Sequence, residues 1–247
     1  MWSMSQITAS GRDVARPEYT LHVDEIGEDV PVLLIHPALG SWGALHEDGP
    51  SIPEAIAARG CRVIGFDLAG HGHSDPLPEF PDDFLERSVA DAVAVLESCG
   101  IGAAAAAIGI GFGGVVALRL AALARRRVRC VVADSVPGIL ASTPTEPWPG
   151  LDATAHHGYD PTASWLRYAE ELSGAGRLYP AGMRIDVPTL IIACGAESTA
   201  EAHRMYDFAR NIGGAQVAWA PVECPPVCRT ATPYFVNELE MFLAAYA

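Results

Sequence analysis

Three glycines and an acid carry the most suggestive chemistry in this chain. Gly109, Gly111 and Gly114 satisfy G-x-G-x-x-G within Ile108-Gly109-Ile110-Gly111-Phe112-Gly113-Gly114, between an apolar run and the helix-like VVALRLAALARRR. Asp134 lies 20 residues after Gly114, at the end of the next apolar run. A dinucleotide-binding turn has this form: its glycines admit a pyrophosphate to the backbone and its acid takes the ribose hydroxyls. Asp134 is also a candidate for general acid–base work, with His36 in LIHPALGSW, His157 in HHGYD and Glu197 in GAES. Each has a plainer reading. Asp134 can cap or bond a loop, His36 can be structural, His156 and His157 can be a solvent-exposed pair, and Glu197 can be a surface acid.

The elements that would hold these residues follow from the hydrophobic pattern. Short apolar runs at Val30–Ile35, Arg62–Phe66, Ala103–Gly109, Val128–Ala133, Val187–Ala193 and Gln216–Ala220 read as strands. Several are too apolar to alternate between core and solvent, which suits strands covered on both faces. Helical stretches near Pro53–Arg59, Asp82–Ser98, Gly114–Arg126, Thr199–Asn211 and Pro233–Tyr246 come between or after them. Asp82 and Asp83 suit a helix start and Gly100 a stop. The alternation predicts an α/β fold: a mostly parallel sheet with helices on both faces. The uncharged stretch Ser98–Leu118 is long enough for a membrane span. It is rich in Gly and Ala, so a buried strand, a turn and a helix start account for it better.

Residues 136–183 break the rhythm with Pro137, Pro144, Pro147, Pro149, Pro161 and Pro180, two adjacent histidines and two tryptophans. They predict a small cap or lid inserted in a single domain spanning 1–247. The 247 residues are half hydrophobic and carry a formal net charge of −14. Such a chain repels phosphate backbones and anionic membranes, so neither nucleic acid nor membrane is an expected partner. The N-terminus lacks a basic region followed by an apolar core, so no signal peptide is expected. Cys61, Cys130 and Cys194 sit in or beside strand-like runs, where cysteine packs as a small hydrophobe. Cys224-Pro-Pro-Val-Cys228 is not a zinc spacing. Reduced thiols, a cytoplasmic location, no metal and no cofactor are the expectation.

Two loops weigh against the dinucleotide reading. Leu34-Ile35-His36-Pro37-Ala38-Leu39-Gly40-Ser41-Trp42 follows the first strand-like run, and Phe66-Asp67-Leu68-Ala69-Gly70-His71-Gly72-His73-Ser74-Asp75 follows the second. With the glycine turn, they resemble the α/β-hydrolase family in order and spacing. That family shows H-G-x-x-G-S, then D-x-x-G-x-G-x-S-D, then the G-x-S-x-G nucleophile elbow. The resemblance covers roughly residues 20–135 and 184–247. It implies an α/β-hydrolase fold and places Gly111 where the family holds a Ser, Cys or Asp nucleophile. By the same resemblance Ser198 falls at the acid position and Pro226 at the histidine position, and the chain has no histidine after His203. A degenerate triad follows. It further implies an oxyanion hole from the backbone amides of Phe112 and Ala38, which side-chain substitution leaves intact. Asp67, His71 and His73 then brace the second loop, and Leu39, Trp42, Trp148 and Tyr159 are candidate pocket walls.

Without a nucleophile, such a hole can still stabilise an enolate or polarise a carbonyl. The leading expectation is a cofactor-free, non-hydrolytic enzyme (isomerase, lyase or cyclase) acting on a small, largely apolar carbonyl compound. A catalytically silent homologue binding a small ligand or a protein partner is the second. An atypical hydrolase, for instance with Asp134 activating water, is the third. Lid and edge strand are both available for contacts between copies, so an oligomer is allowed.

Overall fold

A computed structural model describes residues 10–47, 51–102, 105–136, 163–165, 167–168, 183–194, 199–222 and 226–246. Its centre is one sheet of eight strands in the order β1-β2-β4-β3-β5-β6-β7-β8. The strands are β1 (Ser10–Ala15), β2 (Thr20–Ile26), β3 (Val30–Ile35), β4 (Cys61–Phe66), β5 (Ala105–Ile110), β6 (Val128–Asp134), β7 (Thr189–Cys194) and β8 (Gln216–Ala220). Strand β2 pairs antiparallel with β1 and β4, and every other pairing is parallel. The helices are α1 (Ile52–Ala57), α2 (Phe84–Ser98), α3 (Phe112–Leu123), α4 (Thr199–Asn211), α5 (Val227–Thr230) and α6 (Thr232–Tyr246).

The parallel strands are mostly apolar because both faces are covered. In β3, Leu33 and Ile35 join a core with Phe84, Val115, Val116 and Met205, on the side of α2, α3 and α4. Val32 and Leu34 join a second core with Ile52, Ile56, Phe235 and Leu239, on the side of α1 and α6. Successive side chains of a strand point to opposite faces, so a run serving two cores has no polar positions. Each residue of β3 from Val32 to Ile35 is fully buried.

The six anticipated strands form with small shifts at their ends. Strands β1 and β2 were not anticipated. Their sequences, SGRDVA and TLHVDEI, mix polar and apolar residues. In β2 the buried positions Leu21, Val23 and Ile26 alternate with half-exposed ones, as expected near the antiparallel edge of a sheet. The uncharged stretch resolves into the end of α2, strand β5, a turn and most of α3. Among the described residues no helix is long and apolar enough to cross a membrane. Most of the expected cap, 136–183, lies outside the described residues. Within it, Ala163, Ser164, Trp165, Arg167 and Tyr168 are helical.

Candidate active site at the β5–α3 turn

Gly111 joins β5 to α3 with φ 55° and ψ −120°, a conformation that L side chains adopt only under strain. Its N–H donates to the Asp134 carbonyl at 2.8 Å, tying the turn to the end of β6. The turn is sharp enough to forbid side chains around it. A Cβ at Gly109 would lie 2.0 Å from the Gly113 carbonyl oxygen, and one at Gly113 would lie 2.3 Å from that of Ile35. At Gly111 itself the nearest neighbour is the Pro37 Cβ, 3.2 Å from the added atom. The elbow therefore faces the loop after β3.

Two backbone donors are left over at this junction. Phe112 begins α3, so its N–H has no acceptor within the helix. Among the described residues neither it nor the Ala38 N–H donates a hydrogen bond to a protein acceptor. Helix N-terminal amides favour negative charge. The arrangement suits an oxygen that gains charge during a reaction.

The β3 and β4 loops are locked to each other by histidines and an aspartate. His36 is fully buried. Its Nδ1 lies 2.7 Å from the Pro37 carbonyl and its Nε2 accepts from the Leu68 N–H at 2.9 Å, which requires the Nδ1–H tautomer. Burial pushes the ring down to about 4, against the smaller raising effect of its Pro37 bond. His36 is thus a neutral brace with both nitrogens engaged. His71 accepts from the Leu39 N–H through Nε2 at 3.1 Å, while its Nδ1 sits 3.0 Å from the Ala69 carbonyl. Asp67 accepts from the Trp42 N–H at 2.7 Å and the His73 N–H at 2.8 Å. These bonds hold Leu39 at φ 58°, one residue past the Ala38 donor.

Asp134 ends β6 beside the elbow and is fully buried. Its Oδ1 accepts from the Ser135 hydroxyl at 2.7 Å and the Val227 N–H at 3.2 Å, and its Oδ2 accepts from the Cys228 N–H at 2.8 Å. Burial raises the carboxyl above its ordinary range, and the bonds from Ser135, Cys228 and Val227 pull the other way. The carboxylate is enclosed at the start of α5, which leaves it no face for a ribose. Pro226 is the residue just before that helix, with extended backbone. It brings neither an N–H nor a titratable side chain to the spot. Ser135 has φ 54°, one of three non-glycine residues at positive φ among those described.

An aromatic group covers the elbow from the α2 side. Phe112 stacks on Phe84 with centroids 5.5 Å apart and meets the edge of Trp165 at 4.9 Å. Phe84 also packs on His71 at 5.9 Å, and Tyr168 on Phe80 at 5.2 Å. The Tyr168 hydroxyl accepts from the Leu85 N–H at 2.8 Å. Leu39 is buried in the same core as Phe112 and Trp165. Trp42 is not a wall of this site. Its ring lies where a Cβ on Gly65 would be 1.9 Å away, and it packs with Leu45, Ile52 and Val63 in the opposite core. His157, Trp148, Tyr159, Glu197 and Ser198 lie outside the described residues. Sequence reading passed over Ser135, Phe84, Trp165 and Tyr168. The i, i+3 spacing of Trp165 and Tyr168 was the available signal for two rings on one helical face.

Comparison with known proteins agrees with this geometry. The model of the alpha/beta hydrolase fold family matches residues 30–160, more than half of the chain and all of the span from β3 to the end of β6. The bifunctional epoxide hydrolase 2 of Sus scrofa is 32% identical over 127 residues, which make up 51% of this chain and 22% of that protein. Among solved structures, a probable hydrolytic enzyme from Pseudomonas aeruginosa PAO1 is 17% identical with a TM-score of 0.71, covering 96% of this chain and 95% of its own. An epoxide hydrolase from Vigna radiata is 17% identical with a TM-score of 0.70, covering 99% and 100%. With the sheet order, the glycine elbow and the braced loops already in place, the family match settles the kinship: the chain belongs to the α/β-hydrolase fold family.

Proposed function

We propose that the protein is an atypical hydrolase of small molecules, polarising a substrate carbonyl on the Phe112 and Ala38 amides without a Ser-His-Asp relay. One observation carries this reading: among the described residues the Phe112 and Ala38 amides have no protein acceptor, and they follow Gly111 and its neighbour Pro37, where Gly111 has no side chain to attack with. Similarity to an epoxide hydrolase over half of the chain supports hydrolysis as the reaction class. Gly111, Ser198 and Pro226 stand at the positions that resemblance assigns to nucleophile, acid and base. Losing a triad nucleophile or base costs about 10⁶ in kcat, so a remnant of the relay would not suffice. The attacking oxygen comes from water or from another side chain, and Asp134 accepts its proton only by giving up one of the bonds it now accepts. Leu39, Phe84, Phe112 and Trp165 suit a small, largely apolar substrate.

Turnover of p-nitrophenyl esters or simple aryl epoxides tests this reading. Hydrolysis that disappears in Asp134→Asn supports it. A second reading keeps the same amides but not the water: an isomerase, lyase or cyclase that stabilises an enolate. It is favoured by the engagement of both His36 nitrogens and both Asp134 oxygens, which leaves no free imidazole or carboxylate among those residues to activate water. Binding of a ketone without hydrolysis of any ester or epoxide would select between the readings. Binding with no turnover of any kind would indicate a catalytically silent ligand-binding protein.

A further inference from the structure

Ser135 combines three features. Its backbone is strained at φ 54°, a conformation costing a non-glycine residue about 1–3 kcal/mol. Its hydroxyl donates to the buried Asp134 Oδ1 at 2.7 Å. The same oxygen accepts from the Val227 N–H at 3.3 Å. Its place is equally specific. Ile110 pairs with Asp134 across β5 and β6, and the Gly111 N–H is bonded to the Asp134 carbonyl. Ser135 is therefore the first residue after β6, next in sequence to the residue that the elbow glycine bonds. The Ser135 N–H donates to the Ile192 carbonyl at 2.9 Å, fixing it at the C-terminal edge of the sheet.

We infer that Ser135 is the nucleophile of this site, moved from β5 to the end of β6, with Asp134 as its base. The inference rests on the hydrolase reading above and names its attacking oxygen. Ser135 Oγ attacks the carbonyl carbon held on the Phe112 and Ala38 amides, and its proton passes to Asp134 Oδ1 along the existing hydrogen bond. The carbonyl π pair moves to oxygen and is held by the two amides. Collapse breaks the bond to the leaving group, which departs as an alcohol with the proton from Asp134. Water then attacks the acyl-serine and gives a proton to Asp134, and Ser135 Oγ leaves and takes that proton back. The sum is ester plus water to acid plus alcohol, with both residues restored. The Val227 N–H faces Ser135 Oγ throughout and stabilises charge on it. Burial, which raises the Asp134 carboxyl, makes it a better proton acceptor than an exposed aspartate.

An alkyl fluorophosphonate reads the nucleophile without requiring the natural substrate. The intact protein is incubated with it, and the modified peptide is located by mass. The expected result is one phosphonyl addition, on Ser135. Ser135→Gly, which relieves the positive φ and so preserves the fold, should reduce labelling by at least about 100-fold. No labelling of the wild type, labelling elsewhere, or equal labelling of Ser135→Gly overturns the inference. Ester turnover measured on the same samples separates the two claims. Hydrolysis that survives Ser135→Gly leaves the hydrolase reading standing without this nucleophile. Labelling of Ser135 without ester or epoxide turnover keeps the nucleophile and removes the hydrolase reading.

Discussion

A serine placed at Gly111 would set its Cβ 3.2 Å from that of Pro37 and hold a side chain at φ 55°. Gly111→Ser should therefore destabilise the protein by about 1–3 kcal/mol in urea unfolding. It should not raise ester turnover, because Pro226 offers no imidazole. His36 gives a pH prediction whose sign follows from its surroundings. Its folded value, about 4, lies below the ordinary value of 6.5. The unfolded state then binds the proton first as pH falls, so stability is lost between about 6.5 and 4. The shift corresponds to at most about 3 kcal/mol. His36→Asn should flatten that slope in unfolding measured from pH 7 to 4. It should also lower neutral-pH stability by leaving the Leu68 N–H without its acceptor. A slope unchanged by the substitution would mean that His36 is not the residue responsible.

The elements show how side chains outside the elbow fix its surroundings. Helix α2 begins after Asp83, whose carboxylate makes no capping bond and instead meets Arg87. Tyr168 does the capping from a distance by accepting from the Leu85 N–H. Tyr168→Phe should cost about 0.5–1.5 kcal/mol and speed hydrogen exchange at the Leu85 amide. Unchanged exchange would show that the helical stretch around Trp165 is not anchored there. Asp134 plays a similar part at α5, where Asp134→Ala strands the buried Cys228 N–H and the Ser135 hydroxyl and should cost about 1–3 kcal/mol or more. The parallel strands were legible in the sequence because burial on both faces leaves continuous apolar runs. Strands β1 and β2 were not, because one-sided burial and charged residues hide a strand among loop-like sequence. The loop motifs located the elbow and its amides, since glycine and histidine spacing encodes local geometry. The Asp134–Ser135–α5 cluster was not legible, because residues 93 positions apart meet there only through the crossing of the sheet.

At the scale of the molecule, the elbow lies at the C-terminal end of β5, with an apolar core on each face of the sheet. A shallow cleft of about 370 Å³ lined by Ile185, Asp186, Pro188 and Gly213 lies at the start of β7, away from the elbow. The net charge of −14 acts on whatever approaches. An ester bearing a carboxylate should show a higher KM than its neutral isostere. The gap should narrow as salt rises from about 0.01 M to 0.15 M, because screening shortens the field from about 30 Å to 8 Å. Equal KM values at low salt would indicate a local positive field at the site. The central claim is that the Phe112 and Ala38 amides receive a substrate oxygen at an elbow with no nucleophile of its own. A crystal structure with a small aryl trifluoromethyl ketone tests it most directly. The ketone-derived oxygen should lie about 3 Å from both amide nitrogens, with the aryl group against Phe112 and Leu39. A ligand bound elsewhere, or an oxygen touching neither amide, would contradict it.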